Sequence, residues 1–462
     1  MAVTILSIGL LVFFGHFLAG FFERTKVPDV LILMLAGIAL GPISHLVQPE
    51  DFGKVGSVFS SLALIVILFE GGIHLNVKHL SAAARDTLAI SLSTFAITVL
   101  ALALIANALL PVEFPTALLI GIILGGTSSA VVVPLIRALR MHNTPSTVLF
   151  LESALTDVLV IVLALGLFQG LAVSDAASTN TIDGRSLMLD IVRSFLLAGL
   201  IGALGAFVWS ALLDRIRQLP NTVFTTLAYV FILFGISELI GLSGAIAALT
   251  FGIAVTNFPN IPDRLFGKVF SFRLAAFADH ERALFAEAVF LVKTFFFVFL
   301  GVSMKFTAGG ALASGAALAA VAFVARVPVV RLLAPPSVTQ RDAALMTAMV
   351  PKGLASAVLA ALAVEASLPG SELIQGTVYS AILFSISLCA ALVFSVEHGL
   401  LSSAPFQAWF GKFPSDTAGE RAEPESWDLA APVLELPEML VGLQEPNPIA
   451  HLSDDMENPG AG

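Results

Sequence analysis

Between Val3 and about residue 400, apolar runs of about twenty residues alternate with short connections. A run of that length crosses the hydrocarbon of a bilayer as an α-helix. The chain is 57% hydrophobic and 12% charged, against about 25% charged in an ordinary soluble domain. The expected class is therefore an all-α polytopic membrane protein. Thirteen runs are candidate spans: 3–23, 28–48, 57–74, 86–110, 114–138, 145–171, 189–213, 221–240, 242–258, 283–303, 308–332, 342–365 and 372–400. The ninth is short, and merging it with the eighth is the easiest way to miscount. The run from Val3 to Phe22 has no basic residue before it and no short apolar core with a small-residue cleavage site. It reads as a first span and not as a removed signal peptide. The single cysteine, Cys389, excludes an intrachain disulfide.

The basic residues orient these spans. With the N-terminus outside, fourteen of the twenty-three Lys and Arg fall in inner loops and four, Lys54, Arg185, Arg193 and Lys305, in outer ones. This is the positive-inside bias, and it places the C-terminus inside. Two more, Lys412 and Arg421, lie in the tail. The remaining three, Lys293, Arg326 and Lys352, fall within spans and are the candidates to balance buried carboxylates. Much of the acid behind the net charge of −10 lies in the tail. The expected division is thus a transmembrane domain over 1–402 and an acidic, Pro-containing inner tail over 403–462, largely disordered by composition.

Two spans are interrupted at their middles. Span five carries Gly125-Gly126-Thr127-Ser128-Ser129, with Pro134 further on, and span twelve carries Met349-Val350-Pro351-Lys352-Gly353. Glycine and proline weaken a helix, and proline removes a backbone donor. Unwound backbone at membrane depth is tolerated only in protein or beside a cavity, and paired interruptions in the two halves of a chain point to a transporter site. Spans five and twelve run in opposite directions, as inverted repeats require. A crossed pair leaves half-helix ends facing one another, and a cation such as Lys352 would compensate the negative ends. The hydroxyls of Thr127, Ser128 and Ser129 would satisfy freed backbone groups or coordinate a cation. A Gly/Ser-rich packing seam is the competing account of span five.

Span six holds Glu152-Ser153-Ala154-Leu155-Thr156-Asp157. A carboxylate at the bilayer centre costs roughly 2.5–3.5 kcal/mol on insertion scales and marks an ion or proton pathway. Residues four apart share a helix face, so Ser153 and Asp157 point the same way, with Thr156 beside them. Glu152 and Asp157 are five apart, roughly 140° around the axis, and should have different tasks. Asp157 with Ser153 and Thr156 forms an oxygen-rich surface suited to a small monovalent cation. Glu152 needs a partner, and Arg326 suits it best because arginine stays charged when buried and pairs carboxylates with two donors.

These residues together resemble the monovalent cation/proton antiporters, in the branch of the NhaP-type sodium(potassium)/proton antiporters and the animal sodium/hydrogen exchangers. The resemblance covers about 1 to 400. It is carried by Phe69-Glu70-Gly71-Gly72, Gly126-Thr127-Ser128-Ser129, Glu152 to Asp157, Leu242 to Ala247, Phe299-Leu300-Gly301, Ala325-Arg326-Val327 and Lys352-Gly353-Leu354. It implies about thirteen helices in inverted repeats with two crossed broken helices (an NhaA-like fold), in the cell (inner) membrane. It further implies a homodimer, with ion-binding core helices around 57–171 and 283–365 and dimerisation helices elsewhere. Asp157 would hold a cation or a proton in turn, and Ser153, Thr156, Thr127, Ser128 and Glu70 would complete or flank the site. Glu152 with Arg326 would be a structural ion pair. Lys352, with Gly126, Pro351 and Gly353, would steady the crossing. The implied partners are Na+ or K+, H+ and the lipid bilayer, with no nucleic acid, no cofactor and no enzymatic activity. Electroneutral relatives show Asn-Asp, and electrogenic ones Asp-Asp, where this chain has Thr156-Asp157. Threonine brings no second carboxylate, so one proton for one cation is expected, hence electroneutral exchange. It also brings no amide donor, and the choice between Na+ and K+ stays open.

Glu70 reads as a solvated cap or as part of the site. Glu287 and Lys293 read as interhelical pairing groups, and Glu238 as a snorkelling side chain. His74, His79 and His142 read as surface histidines that could sense pH. The Phe296–Phe299 cluster reads as lipid-facing or core packing, and 259–282 as an interfacial amphipathic connector. Competing functions are a channel, a solute transporter on a related scaffold, and a non-transporting receptor or scaffold.

Overall fold

A computed structural model describes residues 9–10, 12–18, 20, 27–49, 53–74, 85–176, 184–216, 224–258, 279–305, 309–335, 338–398 and 409–414. Most of the 259–282 connector, His79 and the tail from 415 onward lie outside the described residues. Among the described residues every regular element is helical. In chain order these are α1 (Asp29–Ile38), α2 (Gly53–His74), α3 (Arg85–Leu109), α4 (Phe114–Ile123), α5 (Ser129–Leu139), α6 (Asn143–Ala176) and α7 (Gly184–Ile216). There follow α8 (Thr225–Leu239), α9 (Gly244–Asn257), α10 (Asp279–Val302), α11 (Gly309–Leu333), α12 (Gln340–Ala348), α13 (Leu354–Glu365) and α14 (Ser371–Glu397). Six of them, within α3, α6, α7, α10, α11 and α14, are long and apolar enough to cross a membrane.

Local chemistry sets the ends. Span five divides into α4 and α5 around Gly125-Gly126, and span twelve into α12 and α13 around Pro351. The short ninth run is a helix of its own. Gly241, at φ +76, makes the turn out of α8 that an L side chain would resist, and Ser243 caps α9 by accepting from the Ile246 amide at 3.3 Å. Glu238, exposed at the end of α8, accepts from the Gly244 amide through Oε1 at 2.7 Å, and a carboxylate there favours a helix N-terminus. α1 runs on into a π-helical turn, Ala39–Ile43, around Pro42, which has no amide hydrogen to give.

The helices pack in two groups. α3 lies against α4, α6 and α11, and α14 closes on α11 and α13. On the other side α9 lies between α2 and α7. Gly72 and Gly252 face each other there; a Cβ on Gly252 would come within 3.1 Å of the Gly72 Cα. This backbone-on-backbone approach is the small-residue contact by which helices associate without a hydrophobic driving force. Phe296 and Phe297 are fully buried, so this part of the aromatic cluster is core packing. Lys293 pairs with Asp29 on α1 at 3.0 Å and Glu287 with His16 at 3.1 Å, so both groups do join different helices.

One short piece of the tail is folded onto the helices. Phe410 and Phe413 are buried in the main core cluster. Gln340, the first residue of α12, donates its amide to the Pro414 carbonyl at 2.9 Å and its side chain to the Phe413 carbonyl at 3.1 Å. Arg331 donates to the Trp409 carbonyl at 3.4 Å. At 409–414 two aromatic side chains three residues apart supply apolar area that the composition of the whole tail conceals. Phe413→Ala should cost about 3–5 kcal/mol, read as a lower thermal-unfolding midpoint in detergent, whereas Trp409→Ala, which keeps its backbone contact, should change it little.

Candidate functional site

The site is built where the two interrupted spans cross. α4 ends at Ile123, and its last carbonyls have no helical partners of their own. Lys352 reaches across from the other interruption and donates Nζ to the Gly126 carbonyl at 2.8 Å. Ser356, one turn further along α13, donates to the Ile123 carbonyl at 2.6 Å. A buried ammonium and a hydroxyl thus cover the negative end of the α4 dipole. Lys352 is fully buried, and its own amide donates to Ser385 Oγ on α14 at 3.0 Å.

Three consecutive amides of the unwound stretch then find acceptors in three different places. Thr127 N–H donates to Thr156 Oγ1 at 3.2 Å. Ser128 N–H donates to the Pro351 carbonyl at 2.9 Å, a direct backbone bond between the two interruptions. Ser129 N–H donates to Asp157 Oδ2 at 3.2 Å. An unpaired amide at this depth would cost several kcal/mol, so these bonds are what permit the helix to stop here. The close approach needs glycine on the facing strand of chain: a Cβ on Gly353 would collide with the Ser128 side chain, and one on Gly126 would come within 2.7 Å of Val160.

α6 carries both carboxylates, and the helix separates them. Glu152 is fully buried and receives both terminal nitrogens of the Arg326 guanidinium; the Nη2–Oε2 distance is 2.8 Å. Arg326, equally buried, donates Nε to the Met346 carbonyl at 3.1 Å. α6, α11 and α12 are thereby joined through one side chain. Asp157, partly accessible, lies on another face and accepts the Ser129 hydroxyl at 2.5 Å. Glu70 on α2 is half-buried and within electrostatic reach of Asp157.

The hydroxyls expected beside Asp157 are distributed differently. Thr156 faces Thr127, with the two Oγ1 atoms 3.3 Å apart. Ser153 is buried and donates to the Phe150 carbonyl of its own helix at 3.0 Å. Neither bonds Asp157 in this structure; the hydroxyl that does belongs to Ser129. The sequence signals that point to Ser129 are its place three residues after the glycine pair, where the second half-helix can begin, and the preference of a helix start for carboxylates. Ser356 and Ser385 lie among apolar neighbours, and nothing in their local sequence marks them for the crossing.

Asp342 is a further buried acid. It is wholly enclosed in the first turn of α12, where its Oδ2 accepts from His142 Nδ1 at 2.6 Å and its Oδ1 lies 3.3 Å from Arg341. Arg341 also bonds Glu397 at 2.6 Å and the Leu139 carbonyl at 2.8 Å. His142 is therefore not a lone surface histidine. Among the described residues no group of three or more His, Cys, Asp or Glu side chains is arranged to hold a metal ion; the crossing instead offers one accessible carboxylate among hydroxyls.

The sequence profile of the transmembrane sodium/hydrogen exchanger family matches residues 9–395. The chain is 28% identical over 166 residues to Na(+)/H(+) antiporter 1 of Methanocaldococcus jannaschii, covering 35% of this chain and 39% of that protein. It is 24% identical over 235 residues to the Na(+)/H(+)-K(+) antiporter GerN of Bacillus cereus, covering 51% and 58%. With the K(+)/H(+) antiporter NhaP2 of Shewanella sp. (strain ANA-3) it shares 24% over 240 residues, covering 51% and 41%. The chain thus spans about half the length of these relatives. In fold it is similar to the structure of the sodium proton antiporter MjNhaP1 from Methanocaldococcus jannaschii at pH 8, with a TM-score of 0.63 at 21% identity, covering 84% of this chain and 99% of that one.

The ion pair yields a prediction that needs no transport assay. Arg326→Leu strands Glu152 as a buried charge and should cost about 3–5 kcal/mol. Glu152→Leu in the same chain should recover most of the loss in thermal-unfolding midpoint, leaving a remainder for the bond to Met346.

Proposed function

The chain belongs to the sodium/hydrogen exchanger family, and on that footing we propose that it is a secondary active antiporter exchanging a monovalent cation, Na+ or K+, for H+ across the membrane. The observation that carries this reading is the position of Asp157: a partly accessible residue on α6 whose carboxylate receives the start of α5 at the crossing, while Lys352 covers the end of α4. An intramembrane acid in such a place is a functional group by default. The antiporter names of the relatives point the same way.

The chemistry required is competition. A proton and a cation need the same carboxylate charge, so Asp157 holds one or the other. If the loaded site opens alternately to the two sides and does not move empty, the two fluxes run in opposite directions. Of the other charges near the crossing, Glu152 is committed to Arg326 and Lys352 to the Gly126 carbonyl, while Glu70 acts on Asp157 through its charge from α2. Thr156 adds a hydroxyl and no second acid. One titrating carboxylate supports one proton for one cation, and hence electroneutral exchange.

The architecture belonging to this reading is about thirteen membrane helices in inverted repeats, with the N-terminus outside and the C-terminus inside, in the cell's inner membrane as a homodimer. Core helices within 57–171 and 283–365 carry the site and move against the others. The fourteen-to-four distribution of basic residues supports the orientation.

In proteoliposomes carrying a pH-sensitive dye, added Na+ or K+ should move protons outward through the wild type at a rate insensitive to a clamped voltage. Asp157→Asn should abolish this response while the protein remains folded. Ion currents that need no proton counter-flux would instead make the protein a channel.

A further inference from the structure

The first turn of α5 has no side-chain cap from its own chain segment. Ser128 stands at the N-cap position with extended backbone (φ −72, ψ 115), yet its side chain accepts no bond from that turn. It is packed on Gly353 instead. The cap comes from another helix. Asp157 Oδ2 accepts both the amide of Ser129, at 3.2 Å, and its hydroxyl, at 2.5 Å. A carboxylate there also meets the positive end of the α5 dipole. Both bonds end on the same oxygen, so the two oxygens of Asp157 are not equivalent: Oδ2 belongs to α5, and Oδ1 is left for an incoming ion.

We propose that Ser129 is a positioning residue that makes Asp157 the cap of α5, presents Oδ1 to the cation or proton, and ties the load on Asp157 to the first turn of that half-helix. The proposal rests on the antiport reading above. Its physical basis is that a hydrogen bond donated to an ionised carboxylate is roughly twice as strong as one to a neutral group. A proton on Asp157 removes the charge that holds the cap, and a cation at Oδ1 draws on the same charge. The neighbouring link, Thr127 to Thr156, contains no titrating group and stays constant. Of the three amides released by the interruption, only that of Ser129 therefore reports what the site carries. Glu70 on α2 is the other acid in electrostatic reach of Asp157 and acts on its charge.

The test compares wild type, S129A, S129T and D157N in proteoliposomes, with initial exchange rates measured against Na+ and K+ concentration at one fixed pH. S129A should raise the apparent KM about tenfold with the maximal rate held within about threefold, the pattern of a lost charge-assisted bond in ion binding. S129T, which keeps the hydroxyl, should restore KM to within about twofold. Hydrogen exchange of the 127–133 backbone with and without cation gives a second measure that does not depend on the yield of S129A. Protection of the first turn of α5 should change with cation in the wild type and in S129T. An unchanged KM in S129A, a threonine variant as impaired as the alanine one, a loss confined to the maximal rate, or cation-independent protection would each overturn the role of Ser129. D157N keeps the two failures apart: continued exchange there removes the antiport reading itself, whereas an inactive D157N beside a normal S129A removes the role of Ser129 alone.

Discussion

The bond from Ser128 N–H to the Pro351 carbonyl, with Lys352 Nζ on the Gly126 carbonyl, is the contact around which the other helices are arranged. A helix that stops inside hydrocarbon leaves donors on one side of the break and acceptors on the other. Two such breaks, placed against each other, let each supply what the other lacks. The exchange also fixes composition. Glycine suits 353 and 126 because the side chains of Ser128 and Val160, respectively, occupy the space a Cβ would take. A long flexible cation is needed at 352 because the carbonyl it serves belongs to another segment.

The ion pair of Glu152 and Arg326 does a different task from Asp157, although all three are charged residues at membrane depth. Its guanidinium also holds the Met346 carbonyl near the end of α12. α12 is thus held at one end by Arg326 and at the other by Asp342 with His142, Arg341 with Glu397, and Gln340 with the start of the tail. Nine residues of helix would be a weak element alone; polar anchors at both ends give it a fixed place from which Pro351 and Lys352 extend into the crossing. A buried pair of this kind is poor evidence for stability as such, because desolvation opposes the Coulomb attraction. Its effect is to specify which three helices meet.

Several features were open to reasoning from residues alone because they follow from composition and period. Apolar runs of membrane length dictate helices. Gly125-Gly126 and Pro351 mark where helices stop, and the observed ends of α4 and α12 lie just before them. Five-residue spacing on α6 separates Glu152 from Asp157. With three basic residues left within spans, arginine was the reasonable partner for Glu152, and its guanidinium is the group found there. The hydroxyls were harder. Ser153 and Asp157 do share a helix face, but the Ser153 side chain turns back onto Phe150, as serine within a helix often does. Glu238 gave no sign of its capping role because its acceptor site is created by the turn at Gly241 and the start of the next helix.

The sequence by itself determined the class of molecule, the places where backbone must leave the helix, and the inventory of charges and hydroxyls available to compensate. Tertiary structure alone decided the pairings: Asp157 with Ser129, Thr156 with Thr127, Asp342 with His142, and Phe413 with the core. The reason is geometric. Periodicity tells which side of a helix a residue occupies, and composition tells what it could bond. Which neighbour comes within three ångströms depends on how separate helices cross, and several rotamers of one hydroxyl would satisfy the same local sequence.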